Sequence, residues 1–233
     1  MSAQKIVHLI IALHFWYSCY YDWYYVKIPT EIHNMGDSFL KSGKLKFLTY
    51  WDALLQSVFF TLCFLDDIVS GTSESLPKKT PLVRKIKDIM LPSLAFPLSM
   101  FVGLTFWGLY ALDRELIFPK VLDDYFPNWL NHVMHTNIMI FTLLELVTSY
   151  RTYPSRKVGL TLLLSFMASY LVWIHVLNAY TNHWVYPILD VLNFPARIVF
   201  FISNIVIVVV LYVMGEKINS LRWGSRKLKI KNK

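Results

Sequence analysis

An all-α fold, a polytopic membrane bundle of six transmembrane helices in one domain, is what this sequence predicts, and three observations carry the prediction. Of 233 residues, 55% are hydrophobic and 16% aromatic, with only 8 glycines, which leaves little material for a soluble surface. Six apolar stretches, at residues 6–26, 45–65, 89–112, 126–147, 158–179 and 196–214, are each long enough to cross a hydrocarbon core of roughly 30 Å at about 1.5 Å per residue. The basic residues fall between these stretches and at the C-terminus instead of on one polar face. The net charge of +8 therefore reads as membrane topology and not as a nucleic-acid surface.

The first stretch follows Lys5 with "IVHLIIAL" and continues as the bulky "HFWYSCYYDWYYV", which offers no small-residue cleavage site, so it stays attached as a helix. The second opens as "KFLTYWDALLQSVFF" and places Thr49, Asp52 and Gln56 on one helical face. Pro92 and Pro97 are expected to bend the start of the third. The fourth contains "NHVMH", with His132 and His135 at the i, i+3 spacing of a shared face. The fifth and sixth are more uniformly apolar, with His175, Asn178 and Asn204 as their exceptions. The two cysteines, Cys19 and Cys63, lie inside spans and read as buried small apolar residues, not as a disulfide framework. No internal repeat, low-complexity tract or Asn-x-Ser/Thr acceptor interrupts the single domain.

With six spans, 16 of the 23 basic residues fall on the side shared by both termini. They include Lys78, Lys79, Arg84, Lys85 and Lys87, then Arg151, Arg156 and Lys157, and the tail to Lys233. The excess predicts cytoplasmic termini. The tail "RWGSRKLKIKNK" is expected to lie against anionic headgroups. Whether the working site is the cell membrane or the endoplasmic reticulum is not fixed by any targeting motif.

Polar groups at membrane depth are expensive and face the bundle interior or a wet cavity. Two clusters rise above the background, Thr49–Asp52–Gln56 on the second span and Asn131–His132–His135 on the fourth. Measured along the helices, Thr49 lies ~6 Å and His135 ~9 Å below the same interface, so the clusters can meet. A threonine hydroxyl needs a neighbouring base to act as a nucleophile, and either His132 or His135 could take its proton during acyl transfer from an ester. Asp52, one turn below Thr49, is a candidate to orient that histidine. The competing reading is a metal site made by the two histidines with Asp52 or His175.

The stretches "KFLTYWDALLQSVFF", "LAFPLSMFVGLTFWGLYALDRELIFPKVLDDYFPNWLNHVMHT", "YPSRKVGLTLL", "WVYPILD" and "LYVMGEKINSLRWG" resemble the androgen-induced protein family of six-span membrane proteins. The C-terminal block is most similar to its androgen-dependent, tissue-factor-pathway-inhibitor-regulating branch. The resemblance implies a threonine hydrolase that cleaves fatty acid esters of hydroxy fatty acids, with Thr49 as nucleophile and His135 as base. It implies no metal and no other cofactor, and it breaks the tie between His132 and His135. The expected partners are the bilayer and a branched lipid ester, whose free carboxylate would sit near Lys44 or Lys46; protein partners are not specified. Two other classes compete with the enzyme: a membrane regulator of a surface or secreted partner, and a proton-coupled transporter, against which the lack of paired repeats speaks.

Overall fold

Helix α1 covers Ala3–Tyr25 and α2 Leu48–Ser70 in the computed structural model, which describes residues 3–29, 43–70 and 80–231. A long third helix is continuous through α3 (Leu82–Met90), a π-helical turn at Leu91–Ala95 and α4 (Phe96–Asp113). The fourth is built in the same way from α5 (Asn128–His132), a π turn at Val133–Asn137 and α6 (Ile138–Thr148). Then follow α7 (Arg156–Thr181), the short α8 (Pro187–Val191) and α9 (Phe194–Lys231). No strand occurs among the described residues. The expectations placed on Lys78, Lys79 and Lys233 lie outside the described residues, as do the side chains of Arg226, Lys227, Lys229 and Lys231.

Among the described residues, three helical stretches are long and apolar enough to cross a membrane by length and composition: Leu82–Leu116, Arg156–Thr181 and Phe194–Gly224. Helices α1 and α2 and the α5–α6 unit have comparable length, but carry polar groups that meet one another inside the bundle. Helix α9 runs well past residue 214, where the apolar stretch ends, because hydropathy marks hydrocarbon depth and not where the backbone stops being helical. The proline-bearing start of the third helix is a π turn with Pro92 in its first positions. Helix α7 is capped at both ends by local chemistry: the Ser155 hydroxyl accepts from the Val158 N–H, and Asn182 closes the helix in the left-handed region at φ 58°.

At one end of the bundle an ion network ties α1, α2, α3 and α6. His8 Nδ1 lies 2.7 Å from Asp67 Oδ2 and its Nε2 2.9 Å from Glu145 Oε2. Glu145 also accepts from Arg151 at 3.0 Å and from Ser149 at 2.9 Å. Next to it, Asp66 accepts from Lys87 Nζ at 2.6 Å and Arg84 Nε at 3.1 Å. Arg84, Lys87 and Arg151, counted from the sequence as loop charges, are thus buried partners of carboxylates. Their presence at this end follows from pairing as well as from any bias of the membrane.

Removing Glu145 from this network leaves His8 and Arg151 buried without their shared carboxylate. Glu145→Leu should cost about 3–5 kcal/mol, visible as a clearly lower unfolding temperature of the purified protein in detergent; an unchanged transition would contradict the structural role.

Candidate functional site

Eighteen residues along α2 from Asp66, or ~27 Å at the helical rise, the N-terminus of the helix is pinned by aromatic side chains from α7 and the loop before α8. The Leu48 N–H, one of the donors a helix start leaves without an intrahelical acceptor, donates to Tyr170 Oη at 3.0 Å and Tyr186 Oη at 3.1 Å. Tyr170 in turn donates to the Lys46 carbonyl at 3.0 Å. The Leu45 carbonyl accepts from Trp51 Nε1 at 2.7 Å and from Trp173 Nε1 at 2.9 Å.

That last pair of bonds bears directly on Thr49. Serine and threonine hydroxyls inside helices commonly donate to the carbonyl four residues back, as Ser57 does to Ala53 and Thr61 to Ser57 here, at 2.8 and 2.7 Å. For Thr49 that carbonyl belongs to Leu45, and two indoles already use it. The Thr49 hydroxyl turns instead to His135, with Oγ1 3.2 Å from Nε2.

His135 sits inside the π turn of the fourth helix, is 6% exposed, and is fixed on both sides. Its Nδ1 lies 3.0 Å from the Asn131 carbonyl. Since a carbonyl only accepts, Nδ1 carries the proton and the Nε2 lone pair faces the threonine. The Phe106 ring stacks on the imidazole, with centroids 3.6 Å apart and 14° between planes. Gly103 lets α4 come close: a Cβ there would stand 2.5 Å from the His135 carbonyl oxygen and overlap Met139 Sδ.

The other residues singled out in the sequence take different places. His132 is exposed, bonds Thr136 Oγ1 at 3.3 Å through Nδ1 and stacks on Trp107, so it does not share the face of His135. The π turn changes the angular step per residue, and the i, i+3 spacing no longer aligns the two rings. Asp52 is fully buried and accepts from Gln56 Nε2 at 2.8 Å, while Gln56 also donates to the Ala95 carbonyl at 3.0 Å in the other π turn. The orienting position on Nδ1 belongs to Asn131's backbone. His175 is exposed and bonds the Leu171 carbonyl at 2.7 Å. Among the described residues the three-ligand grouping is His8, Cys63 and Glu145, inside the ion network, where both His8 nitrogens already meet carboxylates and Glu145 meets Arg151.

Thr49 and His135 open into a cavity of about 200 Å³, walled by α2, α4, the α5–α6 unit, α7 and α9 and roofed by the α4–α5 loop and α8. Its walls are mainly apolar, Phe101, Met167, Ile174 and Phe200 among them. Lys44 and Asp22 line it as an ion pair of 2.8 Å. Burial pulls the Lys44 ammonium below its ordinary value, and Asp22 opposes the shift. Lys46 is buried elsewhere, over the Phe47 ring. Tyr170, Tyr186, Phe106 and the Asn131 carbonyl carry no direct mark in the sequence as supports; only the density of polar-tipped aromatics hints at interfacial pinning.

A family model described as FAR-17a/AIG1-like protein matches residues 3–220. The chain belongs to that family. It is 42% identical over 191 residues to the human androgen-induced gene 1 protein, covering 79% of this chain and 80% of that one. It is 41% identical over 187 residues to the mouse androgen-dependent TFPI-regulating protein, covering 80% of each. A fission-yeast membrane protein is 29% identical over 121 residues, half of this chain and 52% of its own. No solved structure matches. Family membership and the apolar helices make this a membrane protein.

The close approach of α4 to His135 can be tested by paired glycine substitutions in one helix. Gly103→Val should destabilise by about 1–3 kcal/mol through overpacking. Gly108→Ala, where an added Cβ meets nothing within 4 Å, should be neutral or stabilising by up to about 1 kcal/mol. Thermal unfolding of the two purified variants reads the difference, and equal transitions would remove the packing argument.

Proposed function

We propose that this chain is an intramembrane threonine hydrolase that cleaves esters of hydroxy fatty acids to a fatty acid and a hydroxy fatty acid. The observation that carries the reading is the Thr49 Oγ1–His135 Nε2 contact of 3.2 Å, with Nδ1 held by the Asn131 carbonyl, opening into an apolar cavity. Thr49 Oγ attacks the ester carbonyl carbon as His135 Nε2 takes the hydroxyl proton. Collapse of the tetrahedral intermediate breaks the acyl–oxygen bond, and the imidazolium returns that proton to the departing alkoxide, releasing the hydroxy acid. Water then attacks the acyl-threonine with His135 again as base, freeing the fatty acid and restoring the threonine hydroxyl. Every step uses one nucleophile and one base, so the mechanism requires no metal or cofactor.

The membrane reading completes this picture with six spans. Twenty-three residues in each of α1 and α2 cover ~35 Å at the helical rise, and the α5–α6 unit spans a similar depth. Both termini are cytoplasmic, which puts the ion network near the inner face and Thr49 near the outer one. The regulatory role printed in the relatives' name supports a second reading, a membrane regulator, and the chemistry separates the two: a regulator has no need of a proton acceptor on Thr49.

Thr49→Val, which keeps the shape and loses the hydroxyl, and His135→Ala should each lower ester hydrolysis by roughly ten-thousandfold or more, with the double variant no worse than either. Thr49→Ser should retain part of the rate, and His132→Ala most of it. Covalent labelling of the full-length protein by a hydroxyl-directed lipid probe should need Thr49. A Thr49→Val protein that still labels or turns over would sink the mechanism. For the topology, a C-terminal tag should resist antibody in intact cells and become accessible on permeabilisation, and staining without permeabilisation would overturn it.

A further inference from the structure

Acyl transfer at Thr49 puts a negative charge on the carbonyl oxygen of the ester, and a cavity this apolar must supply a donor for it. Most of the polar side chains that line the cavity are already committed. Tyr50 donates to the Cys19 carbonyl at 3.4 Å, Tyr170 donates to the Lys46 carbonyl at 3.0 Å, and Tyr186 is tied to Tyr170 and the Leu48 N–H. Lys44 is held by Asp22 at 2.8 Å. Two lining residues keep a donor unspent. The Thr105 hydroxyl makes no hydrogen bond among the described residues, and so does not turn back on its helix as Ser57 and Thr61 do. Asn204 gives one Nδ2 hydrogen to the Phe200 carbonyl at 2.8 Å and has the other left.

These two residues stand at the depth of Thr49 on adjacent helices. Thr105 precedes Phe106, the ring that stacks on His135. Helix α9 runs antiparallel to α4, from the cavity toward the ion network, and its Gly215 packs on the Phe96 ring. Measured from that contact, Thr105 lies nine residues along α4 and Asn204 eleven residues back along α9, or ~13 and ~16 Å at the helical rise. The two are therefore level within one turn. A polar side chain at such depth is costly, and it persists where a ligand meets it.

We infer that the Thr105 hydroxyl and the free Nδ2 hydrogen of Asn204 receive the carbonyl oxygen of the ester and the charge it takes on. This rests on the hydrolase reading above and adds two catalytic residues to it. As Thr49 Oγ bonds the carbonyl carbon and its proton passes to His135 Nε2, the carbonyl π pair moves onto that oxygen, where both donors bond it. When the acyl–oxygen bond breaks, the pair returns to the carbonyl, and the same donors serve the attack of water on the acyl-threonine. The Phe200 carbonyl holds the Asn204 amide in orientation throughout.

The test uses the full chain in nanodiscs, a hydroxy fatty acid ester as substrate, and two inhibitors of equal chain length. One is an alkyl trifluoromethyl ketone, which Thr49 converts to a charged hemiketal; the other is the corresponding alkyl ether, which cannot react. Thr105→Val and Asn204→Leu should each lower kcat by about 100-fold, the effect of removing one such donor, with KM within about threefold of the wild type. Each should weaken the ketone by a similar factor and leave the ether unchanged, so a ratio measured on one sample separates loss of the donor from loss of the fold. Thr105→Ser should keep most of the rate and of the ratio. Wild-type kcat in either variant would overturn the assignment of that residue, and so would a fall in kcat with an unchanged ketone-to-ether ratio. Should Thr49→Val stay active, the hydrolase reading falls; should Thr49→Val be dead while Thr105→Val and Asn204→Leu turn over at full rate, only the oxyanion assignment falls.

Discussion

Hydrocarbon supplies no hydrogen-bond partner, so every polar group that enters it must be answered from within the protein, and this requirement organises the bundle. At one end the answer is complete for His8: both ring nitrogens meet carboxylates, and the carboxylate of Glu145 is shared with Arg151 and Ser149. At the other end it is left partial. Thr49 has one partner, His135, and beyond that partner lies a cavity. The network around His8 and Glu145 holds α1, α2, α3 and α6 in register, and the Thr49–His135 pair projects from the far end of the same α2. The stabilising network and the proposed reactive pair are thus built from similar residue types and separated by about 26 Å of helix.

The second constraint is local. A π turn lengthens the backbone hydrogen bond from four residues to five and so changes the direction in which the side chains on either side of it point. His135 lies in the π turn Val133–Asn137, and the carbonyl of Asn131, in the α-helical turn before it, accepts from its ring, which fixes the tautomer and aims Nε2 at the threonine. At Leu91–Ala95 the Ala95 carbonyl accepts from Gln56. The polar face of α2 is therefore divided. Thr49 addresses one π turn, and Gln56, which also donates to Asp52, addresses the other.

This division explains what was legible in the sequence. The helical class and the meeting of the Thr49 cluster with the His132–His135 cluster followed from apolar runs and rise per residue, because these depend on chain position alone, whereas the choice of His135 between the two histidines came from the family resemblance. Helix boundaries did not follow so well, since α9 continues as a cationic helix beyond its apolar part. Asp52 looked like an orienting group because it stands one turn from Thr49, yet the bond to Nδ1 comes from the backbone, which carries no residue signature. His132 looked equivalent to His135 because spacing assumes a regular α-helix, and the π turn that separates them has no marker in "NHVMH". Arg84, Lys87 and Arg151 read as topology signals, although their carboxylate partners are distant in sequence.

The placement of Thr49 at the second residue of its helix has a consequence that a position deeper in α2 would not share. Further along, Ser57 and Thr61 spend their hydroxyl protons on the preceding turn, and a nucleophile there would have to break that bond before meeting a base. At the helix start the equivalent acceptor is the Leu45 carbonyl, which lies in a short 3-10 turn and is held by two indole N–H groups. Its β-branch further restricts χ1, so the threonine has few rotamers left once the carbonyl is occupied. The tryptophans do not touch the imidazole, but by saturating one acceptor they leave the hydroxyl proton to His135. A serine at the same place would keep the proton available and lose the rotamer restriction, which is why it should work less well instead of not at all.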